Sequence, residues 1–401
     1  MIEIILALLL GCTIGTFTGI FPGIHINLVS AFLLAGIGYF SGVEGIVLVV
    51  FIVAMAITHT FIDFIPSIYL GAPEEDSFLA VLPGHQLLRE GKGHEAVVLT
   101  LFGSITALPI TLIFSFVFVL ALSSVYDYFG IIMPFVLIFV SSYLILREEE
   151  FLISFVVFLM AGFLGLFTFN LPVKEPLLPL LTGLFGISGI IVSLKSKVII
   201  PKQKIKKMSK IKLERKSIWR NIFTACFAAP LCSFLPGIGS GHAAVIGSEI
   251  LGKKNDKRSF LFLVGAINTI VMTLSFVTAY TIGRTRTGAA VAVQEILGKI
   301  SFWNLITIIF VVMIAGILAF FTGVNLSKFF SKYVMTFNYR KISFVVLGIL
   351  LAVNLVLSNS LGLVVLITGS AIGIFCVMSG TRRINLMGCL LLPTIVFYLF
   401  G

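Results

Sequence analysis

Long apolar stretches broken by short polar or glycine-rich intervals dominate this chain. Seven fall near residues 2–20, 24–42, 45–70, 96–122, 129–146, 151–170 and 176–194. Seven more follow near 219–236, 241–252, 259–283, 300–322, 342–358, 361–379 and 385–400. Most approach the roughly 20 apolar residues that a helix needs to cross a hydrocarbon core of about 30 Å. A backbone in lipid must close its hydrogen bonds internally, which selects helices here. The pattern predicts an all-α, polytopic integral membrane protein. The stretches at 241–252 and 24–42 are candidates for re-entrant rather than spanning segments.

Composition agrees. Of 401 residues, 59% are hydrophobic and 11% charged, against the roughly 25% charged that a soluble domain carries. The start, Met1-Ile2-Glu3-Ile4, lacks a basic leader and reads as the beginning of a retained helix. The five cysteines lie in apolar stretches without metal-ligand spacing and read as packing residues, and no cofactor is expected.

The net charge of +11 changes the picture through its location. Eleven Lys and Arg fall between Lys195 and Arg220 against one acid, Glu214. Such a run between apolar blocks reads as a cytoplasmic loop against anionic lipid, and nucleic-acid binding is not expected. It divides the chain into a first half (1–194), a linker (195–218) and a second half (219–401). With the linker inside a cytoplasmic (inner) membrane, the basic turns at Arg89/Lys92, Arg147, Lys253–Arg258, Lys328–Lys341 and Arg382/Arg383 also fall inside. The turn holding Arg284 and Arg286 breaks the rule.

Seven segments per half is an odd number, so the halves are expected to enter the membrane from opposite sides, as two inverted-topology repeats. The sequence carries a trace of this repeat. Gly19-Ile20-Phe21-Pro22-Gly23-Ile24 is matched by Ser233-Phe234-Leu235-Pro236-Gly237-Ile238. A second glycine closes a long apolar stretch 48 residues after Gly23, at Gly71, and 46 after Gly237, at Gly283.

Pro-Gly breaks leave backbone groups unpaired, and inside a membrane these need protein, water or a ligand to satisfy them. Paired breaks therefore point to a binding site. Pro22, Gly23, His25 and Asn27 in the first half, and Pro236, Gly237, Gly239, Ser240, Gly241 and His242 in the second, offer small groups and amides suited to an anion. Asn268 extends the second set, and Arg284 and Arg286 read as an anion clamp. His59 and Asp63 are one i,i+4 step apart inside an apolar stretch, the expected place for ion coupling. The bland alternatives are hairpin turns at Pro-Gly, a structural His–Asp pair and a solvated arginine loop. No nucleophile elbow or phosphate-cradling Gly-x-x-x-x-Gly-Lys-Ser/Thr occurs, so neither an enzyme nor an ATP-driven pump is expected.

At these residues the chain resembles the large membrane subunit of tripartite tricarboxylate transporters, the TctA family. The resemblance rests on Gly15-Thr16-Phe17-Thr18-Gly19-Ile20-Phe21-Pro22-Gly23, on Ile68-Tyr69-Leu70-Gly71-Ala72-Pro73, on Leu82 to Gly93, and on Leu235-Pro236-Gly237-Ile238-Gly239. The chain departs from the family pattern at Ala72-Pro73-Glu74, Asn268-Thr269 and Gly283-Arg284-Thr285-Arg286. The resemblance implies a secondary transporter that imports a small organic anion of carboxylate type with Na+ or H+. It also implies a small membrane subunit and an extracytoplasmic binding protein as partners, and leaves a homodimer open. Pro236 to Gly241 also looks like the Pro-Gly-Ser-Gly elements of polyprenyl-phosphate translocases, for which the cargo would be a lipid phosphate.

Overall fold

The computed structural model describes residues 2–21, 26–35, 40, 42–71, 77–146, 148–195, 201–234, 240–252, 256–283, 285, 287–333 and 339–400. Every regular element among them is helical. Eight described helical stretches are long and apolar enough to cross a membrane.

The first half contains α1 (Ile2–Ile20), α2 (Ile26–Ala35), α3 (Gly45–Ile62), α4 (Phe64–Leu70), α5 (Phe78–Arg89), α6 (Gly93–Leu146) and α7 (Phe151–Asn170). It closes with α8 (Leu177–Leu181), a π-helical turn (Thr182–Ile187) and α9 (Ser188–Lys195). The second half contains α10 (Arg215–Phe234), α11 (Ser240–Leu251), α12 (Lys257–Ile282), α13 (Gly288–Leu297), α14 (Phe302–Tyr333), α15 (Tyr339–Met378) and α16 (Gly388–Phe400). The short helices α2 and α11, of 10 and 12 residues, cannot span a bilayer. Helices α5 and α13 are additions to the fourteen stretches read from hydropathy. They are amphipathic and, at 12 and 10 residues, too short to register as spanning stretches.

Two long helices hold more than one apolar stretch. In α6 a stretch long enough to span, Gly93–Leu122, is followed by a shorter apolar piece, Ile131–Leu146. Helix α15 turns back at Asn359, whose φ of 63° is left-handed. Asn359 Oδ1 accepts from the amides of Leu361 and Gly362, and its amide group donates to Pro172 O. Val346, Leu350 and Leu366 then share one apolar cluster with Ile187 and Ile190, which a straight helix would not allow.

Contacts fix the helix directions. Gly11, Gly15 and Gly19 of α1 meet Ala54, Met55 and Ile62 of α3 in rising order, so α1 and α3 run the same way. Helices α10 and α12 also run together, since Ser217 and Asn221 both reach Ser259 near their starts. Glu95 at the start of α6 pairs with Lys206 of the linker and with Arg258 at the start of α12. His94 Nδ1 lies 2.9 Å from Ser327 Oγ, which places the last turns of α14 at the same end. Tyr69 reaches Ser327 and Ser331 there, so α3 and α4 run toward that end while α12 runs away from it.

This end gathers the basic turns. Lys257 pairs with Glu90, and Arg382 with Glu148. The hydrogen bond from Lys92 holds the Glu90 carboxyl below its ordinary range, and Lys257 adds to that. Part of the linker is docked rather than loose. Gln203 accepts from Gly93 N and donates to Leu88 O, and Lys204 N donates to Gly91 O. The exposed Trp219 and Trp303 begin α10 and α14 at opposite ends, the usual place of interfacial aromatics.

The tightest crossing joins α6 to α12. A Cβ on Gly103 would stand 2.0 Å from Phe262 O, and one on Gly265 would stand 2.1 Å from Thr100 O. Only glycine permits this approach, which replaces side-chain interdigitation as the source of packing contact in lipid.

Candidate functional site

The centre of the described structure is the break between α3 and α4. Pro66 has no amide to donate, so the carbonyl four residues earlier, Ile62, loses its helical partner. Ile62 is the last residue of α3, and Asp63 forms the junction. The helix is therefore interrupted at a carboxylate, and that residue is fully buried.

Neighbours shape the break. Gly19 lies against it so closely that a Cβ there would come 2.8 Å from Ile62 Cβ and 3.3 Å from Asp63 N. Gly15 would meet Met55 O at 2.4 Å. The Gly-x-x-x-Gly spacing thus serves to bring α1 onto α3. Thr18, between the two glycines, lies 3.0 Å from His59 Nδ1 through its hydroxyl, and both residues are buried. Below the break, Ser67 Oγ donates to Asp63 O at 2.9 Å and lies 2.7 Å from Ser77 Oγ at the start of α5.

The second half reaches this centre through α12. Asn268 Nδ2 donates to Thr60 O at 3.4 Å, which ties α12 to α3 in the turn between His59 and Asp63. Helix α12 continues through buried Thr269, Thr273 and Ser275. Beyond its left-handed Gly283, Thr285 donates to Ser275 O, and Thr287 caps α13 while touching Ser275. A hydroxyl pair thus ties the long helix to the following short helix in each half: Ser67–Ser77 and Ser275–Thr287.

Of the other sequence candidates, Ser240 and Gly241 are buried at the start of α11, and Asn27 lies on α2. Pro22, Gly23, His25, Pro236, Gly237, Gly239, Arg284 and Arg286 lie outside the described residues, as does the side chain of His242.

One buried polar network escaped the sequence reading. Tyr69 OH donates to Ser327 O at 3.1 Å and lies 2.5 Å from Ser331 Oγ, while His94 contacts Ser327. It joins α4, α6 and α14 at the basic end. Tyr69 and His94 lie more than 230 residues along the chain from the serines they meet, so no local spacing announces it. No group of three or more His, Cys, Asp or Glu among the described residues could hold a metal ion.

Comparison with known proteins places these features. The family described as "Tripartite tricarboxylate transporter TctA family" matches residues 5–388. The chain is 32% identical to "Uncharacterized protein MJ1079" of Methanocaldococcus jannaschii, over 99% of each chain. No solved structure matches.

Proposed function

Because the chain belongs to the tripartite tricarboxylate transporter TctA family, we propose that it is a secondary active transporter of a small carboxylate-type organic anion, coupled to sodium or protons and working by alternating access. The observation that carries this reading is the fully buried Asp63 at the break of α3 and α4, one helical turn from His59. Carboxylates inside apolar spans mark ion pathways. In this reading a proton or a sodium ion binds at Asp63 and ties the local packing to the ion gradient.

The opposed directions of α1/α3 and α10/α12 support an inverted-repeat architecture. The recurring order of long, short, long, short and long helices supports it too. In such folds interrupted helices meet at the repeat interface, where rocking of one repeat against the other exposes the site alternately. The Pro22-Gly23 and Pro236-Gly237 segments, with Arg284 and Arg286, complete the anion site in this reading. The basic end with the linker faces the cytoplasm. A small membrane subunit and an extracytoplasmic binding protein are its proposed partners, as the family description implies for a tripartite system.

The test is uptake of labelled citrate and succinate into proteoliposomes under an imposed sodium or pH gradient. Uptake is expected to follow one of the two gradients and to fall to background in Asp63→Asn. Gradient-independent uptake, or lipid-phosphate translocation without carboxylate uptake, would overturn the reading.

A further inference from the structure

The buried polar network at the basic end is anchored on a helix that is cut off at both ends. Asp63 and Pro66 separate α4 from α3, and Gly71, left-handed at a φ of 69°, stops it with its amide bonded back to Pro66 O. At seven residues, α4 is too short to hold a position through its own backbone. Its side chains must do so.

Most of their contacts are apolar. Ile68 closes on Gly84 of α5, where a Cβ would stand 2.5 Å from Ile68 Cγ1. The Tyr69 ring lies 5.7 Å from that of Phe330 on α14, and a Cβ on Gly93 of α6 would come 3.0 Å from its Cε1. Apolar burial is non-directional, so direction comes from the phenol. Tyr69 OH donates to Ser327 O at 3.1 Å, and lies 3.3 Å from Ser327 Oγ and 2.5 Å from Ser331 Oγ. Tyr69, Ser327 and Ser331 are all buried. Ser327 is held in turn from α6, through His94 Nδ1.

The two serines are one i,i+4 step apart and so share one face of α14, about 5.4 Å from each other along its axis. A phenol has a single proton to give, so it donates to one group at a time. Helix α4 belongs to the first half and α14 to the second. A shift of one against the other passes the phenol between neighbouring hydroxyls rather than stranding it without a partner in the core.

We propose that Tyr69 is a positioning residue for transport. Its hydroxyl, shared by Ser327 and Ser331, holds α4 in register with the second half and passes between the two serines as the halves rock. Asp63 stands at the other end of α4, so the latch sets its place too. This rests on the transport reading above and deepens it. Tyr69 touches no cargo and acts through α4.

The experiment is gradient-driven uptake of labelled citrate and succinate by the full-length protein in proteoliposomes, expressed per folded molecule counted by size-exclusion chromatography. Tyr69→Phe keeps the ring between Phe330 and Gly93 and removes only the hydroxyl. The maximal rate is expected to fall about tenfold while KM changes less than about twofold. Ser331→Ala should reproduce part of that loss. Combining the two should lower the rate no further than Tyr69→Phe alone, because both remove one interaction. A wild-type rate per folded molecule, with only yield or melting temperature lowered, would show packing alone and overturn the proposal. Additive losses in the double variant would overturn it too, as would a KM that rises in step with the fall in rate. Where Tyr69→Phe gives no monodisperse protein, Ser331→Ala decides alone: a several-fold loss at constant KM supports the latch, and a wild-type rate overturns it. Wild-type uptake that ignores both gradients sinks the transport reading and this proposal with it. Gradient-driven wild-type uptake left unchanged in Tyr69→Phe sinks this proposal alone.

Discussion

The two most enclosed spans, Gly45–Leu70 and Lys257–Ile282, stand at corresponding places in the element order of their halves, yet they are built differently. About the same length, they are 83% and 94% buried over their most apolar windows. The first is broken at Asp63 by Pro66 and carries His59 and a carboxylate. The second runs unbroken and meets its surroundings with hydroxyls and one amide, from Asn268 to Ser275. A continuous helix satisfies its own carbonyls, so α12 is the stiffer partner, while α3 and α4 keep a point at which the backbone can yield. Within this pair, the buried carboxylate and imidazole, Asp63 and His59, lie in the first member.

Three substitutions bear on this contrast. The largest effect is expected at the scaffold side. Gly265→Leu would drive a side chain into Thr100 O across the α6/α12 crossing, and the cost exceeds about 3 kcal/mol because backbone, not a flexible side chain, stands in the way. Loss of monodisperse protein in size-exclusion chromatography is the expected result, and a normal profile would show the crossing to be dispensable.

Pro66→Ala makes the broken helix resemble its unbroken counterpart. Restoring the amide that Ile62 O lacks should stabilise the helix by about 1–3 kcal/mol, the order of the penalty for interior proline. The melting temperature should rise while uptake falls roughly tenfold, as expected when a conformational step is stiffened. A rise in stability with uptake unchanged would mean that the break is incidental to transport.

The smallest effect is expected at the contact between the two spans. Asn268→Ala removes a 3.4 Å bond to Thr60 O, and a bond of that length should contribute no more than about 1 kcal/mol. Expression should hold and the apparent affinity for the coupling ion should change a few-fold. A complete loss of uptake with fold intact would instead place Asn268 directly on cargo or ion.

The apolar pattern read locally found nearly every long helix, because crossing lipid demands about 20 apolar residues in a row and leaves no other solution. It also foresaw that 241–252 would be too short to span. It did not foresee α5 and α13, which at 12 and 10 residues fall short of a membrane-spanning window. It marked His59, Asp63 and Asn268 as chemistry, since ionisable and amide groups are conspicuous among leucines. It gave Gly15 and Gly19 no role of their own, whereas these residues serve the approach of α1 to α3.

Sequence by itself determined that this is a helical, multi-pass membrane protein, with eleven of its Lys and Arg clustered between Lys195 and Arg220. The cause is that solvent preference acts on each residue independently of its distant neighbours. The joining of Thr60 to α12 through Asn268, the meeting of Tyr69 and His94 on α14, and the placing of Arg383 over Gly189 were decided only in three dimensions. Each depends on backbones brought within a few ångströms across about 190 to more than 260 residues, and no periodicity along the chain encodes which helix will be the neighbour.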